Sequence, residues 1–164
     1  QIQEQTLTTP TGTNDLNFNH PVKELIWTRL PSSTAGQLEA VGAIAGDGLT
    51  GATTFQLKLN GHDRFAAREY RYFTRTQVYK YHTGPGGLTA GDASAGGNHL
   101  DSIAVYSFAL KPEEHQPSGT CNFSRIDNAQ LVAAGADGTA DMIFAVNYNV
   151  LRIMSGMGGL AYSN

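Results

Sequence analysis

YSFALKPEEHQPSGTCNFSRIDNA, residues Tyr106 to Ala129, passes from an apolar, strand-like segment through a polar turn bounded by Pro112 and Pro117 into a second strand-like segment. Just upstream the apolar character continues, and Ile103–Leu110 is apolar at nearly every position. That is the pattern of a strand covered on both faces, so its second face calls for a partner. Downstream, Met142, Phe144, Val146, Tyr148 and Val150 recur at two-residue spacing. They predict a long strand with those side chains on its one buried face.

Further out, Phe55, Leu57 and Leu59 alternate with Gln56, Lys58 and Asn60, and Asn60-Gly61 then offers two residues that tolerate positive φ in a tight bend. Val22–Leu30, centred on Leu25, Ile26 and Trp27, reads as another strand, and Gln77–His82, with Val78, Tyr79 and Tyr81, as a short one. Gln1–Leu7 and Gln130–Ala134 bring the total to seven or eight strands joined by glycine-rich connections, which suits an antiparallel sandwich. The one helix expected is short, over Arg64–Tyr72, where Ala66 and Ala67 favour a turn or two. Periodicity does not choose a jelly roll over another Greek key.

A family resemblance does. Tyr106–Ala129 resembles the C-terminal part of the major capsid protein of large eukaryotic double-stranded DNA viruses, the nucleocytoplasmic group that includes the iridoviruses and the algal viruses. Three further stretches, FNHPVKELIW at Phe18–Trp27, LKLNGHDRF at Leu57–Phe65 and NVLRIMSGMGGLAYSN at Asn149–Asn164, fall in the order that family would have them. The segments Pro31–Thr53 and Thr83–His99 carry no such signal. The resemblance implies an all-β, antiparallel, eight-stranded jelly-roll sandwich, the second jelly roll of a double jelly-roll protein. Residues 1–164 then form a single C-terminal jelly-roll domain, since two full sandwiches need roughly twice the length.

Hydrophobic residues make up 40% and charged residues 15%, while glycine, at 19 of 164 residues, exceeds the usual ~7% and fits long loops. No window reaches the ~20 apolar residues of a membrane helix and no charged-then-apolar leader opens the chain, so neither membrane insertion nor a signal peptide is expected. The formal charge of −3 argues against a nucleic-acid surface. One basic window exists, Arg64, Arg68, Arg71, Arg75 and Lys80 interleaved with Tyr70, Tyr72, Phe73 and Tyr79, but Asp63 and Glu69 sit among them. A packed or subunit-facing surface is the reading taken, with no direct nucleic-acid contact.

Catalytic patterns are weak. A cupin-like metal site needs two histidines one residue apart, and His20, His62, His82, His99 and His115 contain no such pair. His62-Asp63 with Glu69, and Glu113-Glu114-His115, would place neighbours on opposite faces of a strand, so no metal and no cofactor are expected. Lone Cys121, in the alternating stretch Thr120–Ile126, reads as a small core residue and fits a reducing compartment. Asn122-Phe123-Ser124 is a glycosylation sequon on an expected strand, and is expected to stay unoccupied. Ser155-Gly156-Met157-Gly158-Gly159 and the glycine-rich Thr83–Gly97 lack the lysine and helix of a phosphate loop; the first reads as a flexible terminal turn, the second as a surface loop.

What the resemblance implies is structural: a virion protein, not an enzyme, forming homotrimeric pseudo-hexagonal capsomers of an icosahedral capsid shell assembled in the host cytoplasm. Its partners would be further copies of itself, the N-terminal jelly roll of the same protein, neighbouring capsomers and minor capsid proteins. Candidate assembly contacts are Glu113, Glu114 and His115 in the proline-bounded turn, and Tyr70, Tyr72 and Tyr79 in the aromatic window. Ile103–Leu110 is a further surface expected to be buried by a neighbour, Thr83–His99 and Pro31–Thr53 are candidates for the exterior, and an exposed apolar flank would favour aggregation. The alternative is a jelly-roll module that binds a glycan or receptor, against which stands the absence of aromatic residues between Pro31 and Thr54 and between Thr83 and Leu100. A metal-dependent enzyme ranks third.

Overall fold

The computed structural model describes residues 1–9, 11–28, 53–84, 86, 103–135 and 140–162. Two antiparallel sheets face each other. The first has the order β1 (Ile2–Thr6), β10 (Met142–Asn147), β3 (Pro21–Thr28), β7 (Ile103–Ser107), with the two-residue β8 (Cys121–Asn122) pairing the start of β3. The second has the order β2 (Gly12–Asp15), β9 (Ala129–Ala134), β4 (Thr54–Leu59), β5 (His62–Asp63), with β6 (Arg68–Glu69) on the other end of β4. Successive long strands alternate between the sheets, so the pair β1–β10 wraps the pair β2–β9, and β3 and β4 lie inside both. That nested wrapping is the jelly roll.

The core lies between the sheets. Leu25 and Trp27 of β3, Ile143 and Ala145 of β10, and Ala104 and Tyr106 of β7 point inward from one side; Phe55 and Leu57 of β4 and Leu131 and Ala133 of β9 meet them from the other. An aromatic spine runs through it. Phe18 and Phe123 lie 6.2 Å apart, Phe123 and Phe108 6.0 Å, Phe108 and Tyr106 5.1 Å, Tyr106 and Phe65 4.8 Å, Phe65 and Phe73 5.4 Å, and Phe73 and Trp27 5.0 Å. These separations fall in the range where edge-on and tilted ring pairs add to simple burial.

Two features agree with the periodicity in detail. Phe55 and Leu57 are buried on β4, and Asn60 (φ 52°) and Gly61 (φ 77°) form the tight turn into β5. Asn60 does a second job there, because its Oδ1 accepts hydrogen bonds from the backbone N–H groups of Asp127 and Asn128.

Other expectations fail, each for a physical reason. On β10 the buried face is Ile143, Ala145 and Asn147, with Met142, Phe144 and Val146 half-buried on the outer side. The register decides this, because Ile143 and Ala145 lie opposite Trp27 and Leu25, whose side chains fill the core. The strand ends at Asn147, whose buried amide donates to Gln3 Oε1 (2.7 Å) and to the Asn19 carbonyl (3.0 Å). Gln77–His82 is no strand, and of the expected helix Arg64–Tyr72 only Tyr70–Tyr72 is helical. Instead a π-helical turn, Tyr72–Thr76, runs into α1, Gln77–Tyr81, while residues 64–67 are irregular before β6. Phe73 and Gln77 are the buried anchors of this helical segment, four residues apart and therefore on one side of it.

Ile103–Leu110 is shorter as a strand than its apolar run. β7 stops at Ser107, whose Oγ donates to the Ala109 carbonyl and accepts from the Ala109 N–H, closing a tight local turn. Ala104 to Ser107 are buried on both faces as expected, but the cover comes from within the chain, since the π-turn and α1 lie along β7. Gln77 Oε1 accepts from the Ser107 N–H at 3.2 Å and so occupies a donor of this edge strand. Thr120–Ile126 is likewise only a two-residue strand followed by a 3-10 turn, Phe123–Arg125. Asn122 Oδ1 caps that turn by accepting from the Ser124 N–H, and the Asn122 side chain is exposed, not buried in a sheet. Of the expected exterior loops, Pro31–Thr53 and Thr83–His99, all but Thr53, Thr83, Gly84 and Gly86 lies outside the described residues.

Candidate assembly surfaces

Four surfaces bear on function: the outer face of the first sheet, the turn at 111–118, the aromatic window and the C-terminal hairpin. On the outer face, β1 places Ile2 beside Val146 and Glu4 beside Phe144, and Phe144 in turn lies beside Ile26 of β3. Val105 and Ile103 of β7 continue the row. Ile2 and Ile103 are exposed, Ile26, Met142, Phe144 and Val146 half-buried and Val105 buried, on a largely apolar sheet face that looks away from the core.

At one end of that face sits Glu24 of β3, a carboxylate only 6% exposed. Its partner is His82, the residue that follows α1. His82 Nε2 lies 2.9 Å from Glu24 Oε2 and its Nδ1 3.2 Å from Glu113 Oε1. Glu113 Oε1 also accepts from the Thr83 backbone N–H at 3.0 Å. The Glu24 hydrogen bond raises the His82 pKa against the opposing effect of burial, and Glu113 adds to the rise. Glu113 is held below the usual carboxylate range, chiefly by the Thr83 N–H. One imidazole thus ties the helix end, the sheet and the proline-bounded turn together. Sequence reading missed this group, although Glu24 among the apolar residues of PVKELIWT was a signal that a buried acid would need a partner.

The candidate contacts separate accordingly. Glu113 is engaged within the chain; Glu114 pairs with Lys111 at 3.0 Å on the surface; His115 is exposed. Tyr70 is 6% exposed and belongs to this chain's own core, and Tyr72 packs half-buried against Phe73, because the helical segment turns both rings inward. Tyr79, 87% exposed, is the ring of the three that is open to a neighbour. The cations of the window are also used locally. Arg68 stacks on Tyr72 at 4.6 Å, and Arg71 stacks on Tyr70 at 5.4 Å while pairing with Glu69 at 3.3 Å.

Leu151–Met154 (β11) and Met157–Leu160 (β12) form a hairpin closed by Ser155 (φ 51°) and Gly156 (φ 79°), where a flexible terminal turn was expected. Every residue of both strands is exposed. At its foot Ala161 N–H donates to the Val150 carbonyl and Asn149 Nδ2 to the Tyr162 carbonyl. There an open cavity of about 330 Å³ is lined by His20, Asn122, Ser124, Tyr148 and Tyr162, among others. Cys121, partly buried, has its thiol pushed up by burial and stays protonated, unlike an activated nucleophile. Among the described residues, no group of three or more His, Cys, Asp or Glu side chains could hold a metal ion, and no helix is long and apolar enough to cross a membrane.

Comparison with known proteins bears directly on these surfaces. The model of the large eukaryotic DNA virus major capsid protein family matches residues 1–159. The chain is 49% identical over 160 residues to a major capsid protein of Pyramimonas orientalis virus, covering 91% of this chain and 38% of that protein. It is 38% identical over 198 residues to the major capsid protein of Paramecium bursaria Chlorella virus 1, covering 91% of this chain and 42% of that one. Among solved structures, a chain of the PBCV-1 virus capsid superposes with a TM-score of 0.69 at 34% identity, covering all of this chain and 50% of that one. The Faustovirus major capsid protein, 13% identical with a TM-score of 0.53, shares the fold. The chain thus spans half or less of the length of these relatives. With the jelly roll, the apolar outer face and nearly every residue matched to the family, the chain belongs to the major capsid proteins of large eukaryotic DNA viruses.

Proposed function

We propose that this chain is the C-terminal jelly roll of a capsid subunit that forms homotrimeric, pseudo-hexagonal capsomers. These pack into the icosahedral shell of the virion, in the host cytoplasm. The observation that carries this reading is apolar surface left open among the described residues: Ile2 and Ile103 exposed on the outer face, with Phe144 and Val146 half-buried on it, and the hairpin from Leu151 to Leu160. A solitary soluble domain rarely exposes so much contiguous apolar area, whereas permanent assemblies are built on such faces. In this reading the N-terminal jelly roll of the same protein and neighbouring subunits cover the outer face, while the Lys111–Ser118 turn and Tyr79 face adjacent capsomers or minor capsid proteins. The role is mechanical. The stiff double sheet supplies shape, and no step of chemistry is assigned to it.

Light scattering on the full-length parent protein tests this reading. A mass of three subunits is the expected result, and a stable monomer at all concentrations would remove the capsomer from the proposal.

A further inference from the structure

We infer that the Leu151–Leu160 hairpin is an assembly arm that seats on a second copy of this chain; the inference rests on the capsid reading above. Leu151, Ile153, Met154, Met157 and Leu160, with Val150 and Tyr162 at the foot, are each between 54% and 75% exposed. Together they make an exposed, apolar-rich surface. The register puts Leu151, Leu160 and Ile153 on one face and Met154 and Met157 with Arg152 on the other. Both faces are therefore sticky. Among the described residues, the hairpin pairs with no other strand and every residue of its two strands is exposed.

The glycines point the same way. A Cβ at Gly158 or Gly159 would meet nothing within 4 Å, and neither residue has the positive φ that would demand glycine. Glycine weakens a strand, and two of them in a four-residue strand make sense where another molecule's backbone comes close. An isolated two-stranded hairpin is marginal in water, and its outer edges are open rows of donors and acceptors. A like hairpin satisfies both requirements, since it brings matching edges and matching apolar faces. With Arg152 as the hairpin's single charged side chain, charge complementarity to an unlike partner is not what selects the occupant. In a shell built from many copies of one chain, the surface available everywhere is that of another copy.

The test is sedimentation equilibrium of the 164-residue chain beside the triple variant Leu151→Ser, Ile153→Ser, Leu160→Ser, with thermal melting of both at high dilution. Concentration-dependent association of the unaltered chain is expected, weakened about a hundredfold or more in the variant, with equal melting temperatures when dilute. A chain that stays monomeric, or a variant that associates as well as the original, overturns the inference. So does a variant that melts early, since the hairpin would then be packed on its own body. The same substitutions in the full-length protein separate the two proposals. Normal trimers and shells from the variant sink the arm and leave the capsid reading standing, whereas an unaltered full-length protein that never assembles sinks the capsid reading itself.

Discussion

Gly135 has φ +140°, and a Cβ placed there would lie 2.8 Å from the Thr53 Cα and 3.0 Å from its Oγ1. Both the backbone conformation and the space therefore exclude a side chain. Gly135→Ala is expected to cost about 2 kcal/mol, lowering the melting temperature by roughly 4–8 °C in calorimetry. His82 makes a prediction of a different kind. Its folded pKa lies above 6.5, so the stability it contributes is fully present below 6.5 and is lost as pH rises through the folded value. Glu113 acts at the other end, contributing stability above 4.5 that is lost as pH falls through its lowered value. Urea unfolding should show the chain weakening as pH rises from 6.5, and His82→Gln should flatten that limb of the profile; an unchanged profile would mean the imidazole carries no such role.

Among elements, the helical segment holds the sheet edge through one side chain. Gln77 donates from Nε2 to the Tyr72 hydroxyl at 2.9 Å and accepts at Oε1 from the buried Ser107 N–H. Gln77→Ala strands that N–H without a partner, and a loss of about 1–3 kcal/mol is expected by denaturant titration. The same segment shows why some of the fold was illegible in the sequence. Gln77–Tyr81 carries β-favouring valine and tyrosines, yet it is helical because the anchors Phe73 and Gln77 gain more from the core and the β7 edge than local propensity costs. On β10 the alternation was legible but its phase was not. Met142, Phe144 and Val146 are more hydrophobic than Ile143, Ala145 and Asn147, and only the register against Leu25 and Trp27 fixes which set faces inward. The β4–β5 hairpin was legible in full, since Asn60-Gly61 demands its turn locally. The His82 cluster was not, because its members come from three distant segments.

For the molecule as a whole, stability should be graded from the sheet interior outward. Amides of β3 and β10, central in the first sheet, should exchange most slowly with deuterium, and those of the Leu151–Leu160 hairpin fastest in the dilute chain. Slow hairpin exchange at high dilution would contradict the picture of an uncovered arm. The all-β class, the antiparallel sheets and the family were readable from sequence, because alternation and four ordered motifs survive without knowledge of contacts. Which apolar faces remain uncovered was not, since that depends on what each strand lies against.

The pairing of β1 with β10 sets Ile2 against Val146 and Thr6 against Met142, and the Gln1 amino group donates to the Asn147 carbonyl. Within this body the first strand thus waits for one of the last before it has a neighbour in its sheet. Until residue 147 emerges, β1 is an unpaired edge and Trp27 has only one of its flanking strands. Folding of this body is consequently an event that follows synthesis, with a rate limited by the search for a closure spanning most of the chain. It belongs in the millisecond-to-second class of proteins dominated by non-local pairing. That interval is when unfinished copies of the chain are most exposed to one another.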